Sequence, residues 1–172
     1  MTAALSRSLR SRVGTPLGVL ELDLCGDVVV GAGFVLDAVP AAVALEALPR
    51  DAPAPLRWLQ AYFFHPESAW RAVAVRVEPS DVPGTAFQRR VWRALQAIPP
   101  GHTRTYGALA TELGTAARAI GGACRSNPCA LFIPCHRVVA KGGAGGFMGA
   151  RGGARIDLKA ALLRHEAHAS AA

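Results

Sequence analysis

The hydrophobic period of this 172-residue chain changes at Pro83-Gly84, and that switch constrains its fold more than any other feature. Before it, apolar residues alternate along Val19-Leu20-Glu21-Leu22-Asp23-Leu24 and again along Val28–Val35, with Cys25-Gly26-Asp27 as the turn between. That is the pattern of a hairpin, entered through a turn at Gly14-Thr15-Pro16-Leu17-Gly18. Trp70–Val77 alternates as well and is expected to add a third antiparallel strand. Residues 38–60, interrupted at Pro40, Pro49, Pro53 and Pro55, suit short helices, and 78–84 read as a linker. After the switch the period is helical. Thr85 and Gln88 have the capping-box spacing, and Phe87, Val91, Trp92 and Leu95 share one face up to Pro99-Pro100-Gly101. A second helix is expected over Tyr106–Leu113 with Gly114 at its end. A third, capped by Thr115, should run to Arg125, before Asn127-Pro128. Two short helices joined by a tight glycine-containing turn have the shape of a helix-turn-helix.

Length fits one domain or two small ones sharing a core. A hydrophobic fraction of 51% with 18% charge excludes a disordered chain. No apolar run approaches the roughly 20 residues needed to span a bilayer, so no membrane association is expected. Arg7, Arg10 and Arg12 lack a following apolar stretch and do not read as a secretory signal, a transit peptide being the weaker alternative. Residues 1–83 hold 7 basic and 9 acidic side chains, whereas residues 84–172 hold 12 and 3. The asymmetry points to a polyanionic partner for the second half, against the plainer reading of a solvated Arg-rich surface.

Four cysteines, Cys25, Cys124, Cys129 and Cys135, are too few for a disulfide framework, and none forms a CxxC pair. They read as reduced thiols of a cytosolic protein. Ala130–Ile133 is a short apolar run expected to be a buried strand or extended segment delivering Pro134-Cys135-His136-Arg137. A free cysteine is only roughly 3% thiolate at neutral pH, so a nucleophilic Cys135 needs a base or a positive field beside it. Adjacency to His136 alone is weak support, because neighbours on a strand face opposite ways. The third helix is nearly bare: Ala116, Ala117, Ala119, Gly121, Gly122 and Ala123 leave Arg118 as the long side chain of its first turns. Two mid-helix glycines cost up to about 1 kcal/mol each, so the backbone must lie close to something. That something is either a neighbouring helix or a DNA groove.

Ile133-Pro134-Cys135-His136-Arg137-Val138-Val139 resembles the active-site signature of the O6-alkylguanine-DNA alkyltransferases (methylated-DNA–protein-cysteine methyltransferases). Phe87-Gln88, Val91-Trp92, Ile98-Pro99, Tyr106, Ala117-Arg118-Ala119, Gly121-Gly122, Arg125, Asn127-Pro128, Lys159, Leu162-Leu163 and His165-Glu166 are similar to that family in order and spacing. Thr15-Pro16-Leu17-Gly18 looks like its N-terminal start. The resemblance implies an α/β fold. Residues 1–80 would form a ribonuclease-H-like domain with a three-stranded antiparallel sheet and helices, packed on a mostly helical, DNA-binding and alkyl-accepting domain over 84–172.

The resemblance further implies repair of double-stranded DNA carrying O6-alkylguanine, and O4-alkylthymine, by irreversible, single-turnover transfer of the alkyl group to Cys135. His136, oriented by Glu166, would activate the thiol through water, and Tyr106 would donate a proton to the departing base. The target nucleotide must leave the stack. Arg118 would fill the gap, with Thr105, Ala116, Ala117, Gly121, Gly122 and Arg125 against the minor groove, whose width of about 6 Å suits a bare helix. Asn127 would be the hinge between this helix and the active-site segment. Pro134, Phe147, Met148 and Gly149 would form the substrate pocket. A monomer without cofactor is expected, cytoplasmic or, in a eukaryote, nuclear.

One stretch departs from the family's usual Gly-Tyr form. Gly146-Phe147-Met148-Gly149-Ala150 places Phe where Tyr is common, and 151–155 read as an insertion. Arg151 and Arg155 are either phosphate contacts or solvated loop charges. His165, in register with Leu158, Ala161 and Leu162, is expected to pack or cap. With Cys25 the only early cysteine and His65 the only histidine before His102, no required metal is expected. Two other readings compete. A non-catalytic alkyltransferase-like lesion-binding protein would lack the acceptor cysteine, and an unrelated thiol hydrolase would have no use for the basic half.

Overall fold

A computed structural model describes residues 8–37, 43–64, 75, 77–79 and 81–171. It is a mixed α/β structure built on a four-stranded sheet and five helices. β1 (Leu9–Thr15), β2 (Gly18–Cys25) and β3 (Val28–Val35) form an antiparallel meander, and β4 (Val43–Ala44) joins β1 in parallel, giving the order β3-β2-β1-β4. The hairpin of β2 and β3 matches the alternation, since Leu20, Leu22 and Leu24 point inward with Val29, Ala32 and Phe34. β1 was not anticipated; the turn expected at 14–18 is confined to Pro16-Leu17, and the stretch before it is a strand. Its outward face is charged: Arg10 pairs with Asp23 at 2.7 Å and Arg12 with Glu21 at 3.3 Å across the β1–β2 ladder. Cross-strand opposite charges of this kind support pairing where apolar residues are scarce. The strand expected at 70–77 lies almost wholly outside the described residues, as does His65.

α1 (Ala54–Phe64) takes Pro55 into its first turn, where a missing N–H costs nothing, so this proline opens the helix. Leu56, Leu59, Tyr62 and Phe63 join the sheet's inner face in one core that also takes in Trp92, Leu109, Ile120 and Leu162. The two halves of the chain therefore share their interior.

α2 (Ala86–Gln96) begins with the expected capping box: Thr85 Oγ1 accepts from Gln88 N at 3.2 Å while Gln88 Oε1 accepts from Thr85 N at 2.8 Å. α3 (Tyr106–Glu112) and α4 (Ala117–Arg125) are joined through Gly114, whose φ of +60° suits glycine. Ala116, not Thr115, is the N-cap of α4, and no side chain caps it. Trp92 Nε1 donates to Ala123 O at 2.9 Å and ties α4 to α2. α5 (Ala154–Ala171) closes the chain, starting within the segment read as an insertion.

Three features position the segment 126–140. The free edge of β3 bonds it, with Ala32 N donating to Pro128 O and Ala130 N to Ala32 O, both at 2.8 Å. Residues 130–133 are buried as expected but are not a strand: Leu131 adopts φ +70° and Ile133 N turns back to Cys129 O at 2.8 Å. Cys135–Arg137 then form a 3-10 turn, and β6 (Val138–Val139) pairs in parallel with β5 (Arg104–Thr105). That short ladder fixes Tyr106, the next residue after β5, beside the chain that follows Cys135.

Candidate active site

Cys135 opens the 3-10 turn and is 6% exposed. Burial pushes its thiol up from the usual range, opposed by a hydrogen bond from Asn127 and by the charge of Lys159. The resting group is therefore a neutral thiol. Asn127 also fixes the local backbone: its Nδ2 donates to Ile133 O at 2.7 Å and its Oδ1 accepts from Cys129 N at 3.0 Å. One side chain thus links the end of α4 to the residues preceding Cys135.

Behind the thiol lies a buried polar wall centred on Glu166 of α5, which is 1% exposed. Its carboxylate accepts from His136 Nε2 at 2.8 Å, from Tyr62 Oη at 2.8 Å and from Gly101 N at 3.3 Å. Arg137 adds a forked contact through Nε at 2.9 Å and Nη2 at 2.7 Å, and its Nη1 reaches Ile98 O at 2.6 Å. Burial alone would raise the Glu166 pKa; the donors from His136 and Arg137 outweigh it and hold the carboxyl well below the usual range. Burial lowers the pKa of His136 against the pull of Glu166, so the imidazole is neutral and Arg137 carries the charge that pairs with Glu166. An ionised carboxylate only accepts, so Nε2 must carry the imidazole proton. Nδ1 then presents a bare lone pair, and it is buried with no hydrogen-bond partner among the described residues. A histidine held in one tautomer by a carboxylate, with the other nitrogen free, is the arrangement of a general base.

In front of the thiol is a cavity of about 890 Å³ between α4 and the 140–151 loop. Ala117, Arg118, Gly121, Gly122, Cys124 and Arg125 of α4 form one wall. The opposite wall runs from Ala140 through Phe147, Met148 and Gly149 to Arg151, and Thr105 and Tyr106 complete the lining with Cys135. A Cβ placed on Gly121 or Gly122 would meet nothing within 4 Å. Tight internal packing therefore does not explain these glycines, and the bare face of α4 borders open space. Tyr106 is half-buried; its pKa is pushed up to about 12, first by burial and then by the neighbouring thiols Cys124 and Cys135. Its hydroxyl donates to Gly146 O at 3.1 Å. Lys159, fully buried, donates to Val138 O at 2.5 Å and Gly146 O at 3.0 Å.

The expected residues thus divide into three places. Cys135, Tyr106, Arg118, Thr105, Ala117, Gly121, Gly122, Arg125, Phe147, Met148 and Gly149 line the cavity. His136 and Glu166 stand behind it, and Asn127 braces it. Pro134 is buried at the N-cap of the 3-10 turn and Ala116 is exposed at the start of α4; neither lines the cavity. His165 packs, as expected, with Nε2 2.7 Å from Tyr62 O and its ring against Tyr62 and Phe63. Arg155 is exposed, and its Nη1 donates to Met148 O at 2.6 Å, a contact the sequence reading did not include. Tyr62, which reaches Glu166 from α1 in the N-terminal half, was missed altogether. Arg137 was noted only as a neighbour of Cys135, although its guanidinium supplies the charge facing Glu166. Among the described residues no group of three or more His, Cys, Asp or Glu is placed to hold a metal ion, and no helix is long and apolar enough to cross a membrane.

The fold and site together define an α/β protein that seats a buried cysteine, backed by a histidine–glutamate pair, beneath a cavity walled by a bare helix. Residues 86–168 match the family model described as the DNA-binding domain of 6-O-methylguanine DNA methyltransferase. Over 88 residues the chain is 51% identical to a methylated-DNA–protein-cysteine methyltransferase of Mycolicibacterium paratuberculosis, covering 50% of this chain and 51% of that one. The chain spans about half the length of the curated relatives it matches. Likeness to solved structures extends further. The crystal structure of Mycobacterium tuberculosis O6-methylguanine methyltransferase superposes with a TM-score of 0.70 at 31% identity, covering 94% of both chains. The same bacterium's OGT in complex with DNA gives 0.68 at 31% identity over 93% of both. The chain belongs to the 6-O-methylguanine DNA methyltransferase family.

Proposed function

We propose that this chain repairs DNA by moving the alkyl group of O6-alkylguanine, and of O4-alkylthymine, onto Cys135. The Cys135 sulfur attacks the alkyl carbon in line with the C–O6 bond. A carbon–sulfur bond forms, the carbon–oxygen bond breaks, and its electron pair stays on the base. The thiol proton passes through water to Nδ1 of His136, whose Nε2–H stays on Glu166. Tyr106 gives the base its proton, and the proton taken up by His136 passes through water to restore the Tyr106 hydroxyl, so the balance is a thioether, a normal base and an unchanged set of site protons. A thioether has no hydrolytic route back, and one molecule therefore repairs one lesion.

Duplex DNA carrying the lesion is the partner, and the protein acts as a monomer. α3 and α4 serve as a helix-turn-helix, α4 lies in the minor groove, and Arg118 holds the space of the extruded nucleotide. The division of labour is residues 1–80 as support, in a ribonuclease-H-like arrangement, and 84–172 as the acting part. The reading rests above all on Cys135 lining a cavity whose other wall is the open Gly121-Gly122 face of α4.

The test is incubation with a duplex containing O6-methylguanine, followed by mass spectrometry. The Cys135 peptide should gain one methylene unit in stoichiometric yield, and C135S should gain none while still binding DNA. A tight complex with unmodified Cys135 would establish lesion binding without chemistry in its place.

A further inference from the structure

We infer that Arg155, from the segment inserted between the cavity loop and Lys159, is a positioning residue that sets the shape of the alkyl pocket. This rests on the alkyl-transfer reading for its consequence in substrate choice, though not for its structural part. The wall facing α4 ends in a tight hairpin: Phe147 N donates to Ala150 O at 3.0 Å and Ala150 N to Phe147 O at 2.9 Å. The two residues at its tip, Met148 and Gly149, have φ of +47° and +81°. Paired positive φ values mark the primed turns that favour Asn-Gly. Glycine is at ease there, but methionine is not, because its Cβ crowds the neighbouring carbonyl. A strained methionine at a pocket wall persists only where its surroundings over-determine it.

Those surroundings are two cations of α5. Arg155 and Lys159 stand one turn apart on the same helix face, and each grips a hairpin carbonyl two residues from the other's. Arg155 Nη1 bonds Met148 O at 2.6 Å and Lys159 Nζ bonds Gly146 O at 3.0 Å. Gly146 O also accepts from Tyr106 Oη, and the ring of Tyr106 comes so close that a Cβ on Gly145 would lie 2.9 Å from it. The inner end of the hairpin is thereby held by Tyr106 and Lys159, and the tip, which carries Met148 into the pocket, by Arg155. The placement of Arg155 fits a positioning role better than a stabilising one. It lies in the first turn of α5, where the helix dipole disfavours a cation. Its guanidinium offsets that by binding a carbonyl of the loop.

R155A and R155K, each folded by circular dichroism, decide the matter by two measurements. Amide exchange at Phe147 and Ala150 needs no substrate: R155A should speed it roughly tenfold, R155K by less, with α2 unchanged. Transfer from O6-benzylguanine relative to O6-methylguanine should then rise roughly tenfold in R155A, because a wall free to recede favours the bulkier group. R155K should restore most of the wild-type ratio. Unchanged exchange at the hairpin overturns the inference whatever the activity. Faster exchange with an unchanged benzyl-to-methyl ratio confines Arg155 to a structural role and overturns its part in specificity. If wild-type protein transfers neither group, the alkyl-transfer reading has failed, while the exchange result still judges the grip of Arg155 on the hairpin.

Discussion

The two sides of Cys135 are built on opposite principles. Behind it, Glu166, His136, Arg137 and Tyr62 are buried and bonded to one another, drawn from α1, the 3-10 turn and α5. In front of it, the wall of α4 has glycines with empty space above them and the arginines Arg118 and Arg125 at the solvent. In the proposed reaction rigidity sits where a proton would be received, since a general base works only if its tautomer and orientation are fixed in advance. Openness is kept where a large ligand has to enter. The contrast also explains how a neutral thiol can serve in a transfer reaction. In the proposed reaction its neutrality protects it at rest, and the lone pair fixed on His136 Nδ1 would take its proton through water.

Removing the carboxylate of the rear wall should have the largest effect. E166A leaves the Arg137 guanidinium buried without its partner and His136 without its tautomer lock. Breaking a buried ion pair on one side costs about 3–5 kcal/mol. A urea midpoint lowered to match is expected, together with loss of alkyl transfer. If E166A instead unfolds like wild type, the rear wall is not the rigid element described.

The next effect is that of acid, and its sign follows from two depressed pKa values. Glu166 is held below its unfolded value, so its stabilisation is present above about pH 4.3 and is lost as pH falls further. His136 is also held below its unfolded value and stays neutral in the fold. Its share is present above about pH 6.5 and begins to be lost below it. Stability should therefore fall in two stages between pH 7.5 and 4 when urea midpoints are followed. On the alkaline side the sign reverses: the raised Cys135 pKa makes stability decline as pH climbs past the unfolded thiol value of about 8.5. A flat profile from pH 7.5 to 5 would mean that the His136 pKa does not change on folding, and stability rising as pH falls over that range would mean that the imidazole is charged in the fold and cannot be the base.

What could be read in advance follows the same divide. α2, α3, α4 and the cavity lining are local in origin: a capping box, a helical period, a glycine stop and a run of small residues each lie within a dozen positions. Tyr62 and Glu166 are 104 residues apart, and nothing local in α1 marks its tyrosine as a donor to α5. β1 was hidden because its outward residues are arginines whose partners, Asp23 and Glu21, declare themselves only once the register with β2 is known. The stretch 130–133 looked like a strand because it is apolar and short. It turns instead, since the edge of β3 takes up the backbone at 128 and 130 and the chain must then reverse to reach Cys135. Arg155 belongs with these cases, because its partner is a backbone carbonyl and carbonyls leave no trace in side-chain identity.

The smallest expected effect is the most discriminating, because stability and function should move in opposite directions. G121A fills a position in the middle of α4 where a Cβ meets nothing within 4 Å. Alanine in a helix interior is worth roughly 0.5–1 kcal/mol over glycine, so the variant should be slightly more stable than wild type in a thermal melt. The added methyl group nevertheless projects into the space that the reading assigns to DNA. Repair in duplex should therefore slow, while transfer from the free base O6-benzylguanine, which needs no groove contact, should stay near the wild-type rate. A variant that is both more stable and equally fast on duplex would show that the bare face of α4 is spare surface. One that is less stable would show that the glycine answers to a packing constraint inside the protein, and the division between a rigid rear and an open front would have to be redrawn at that helix.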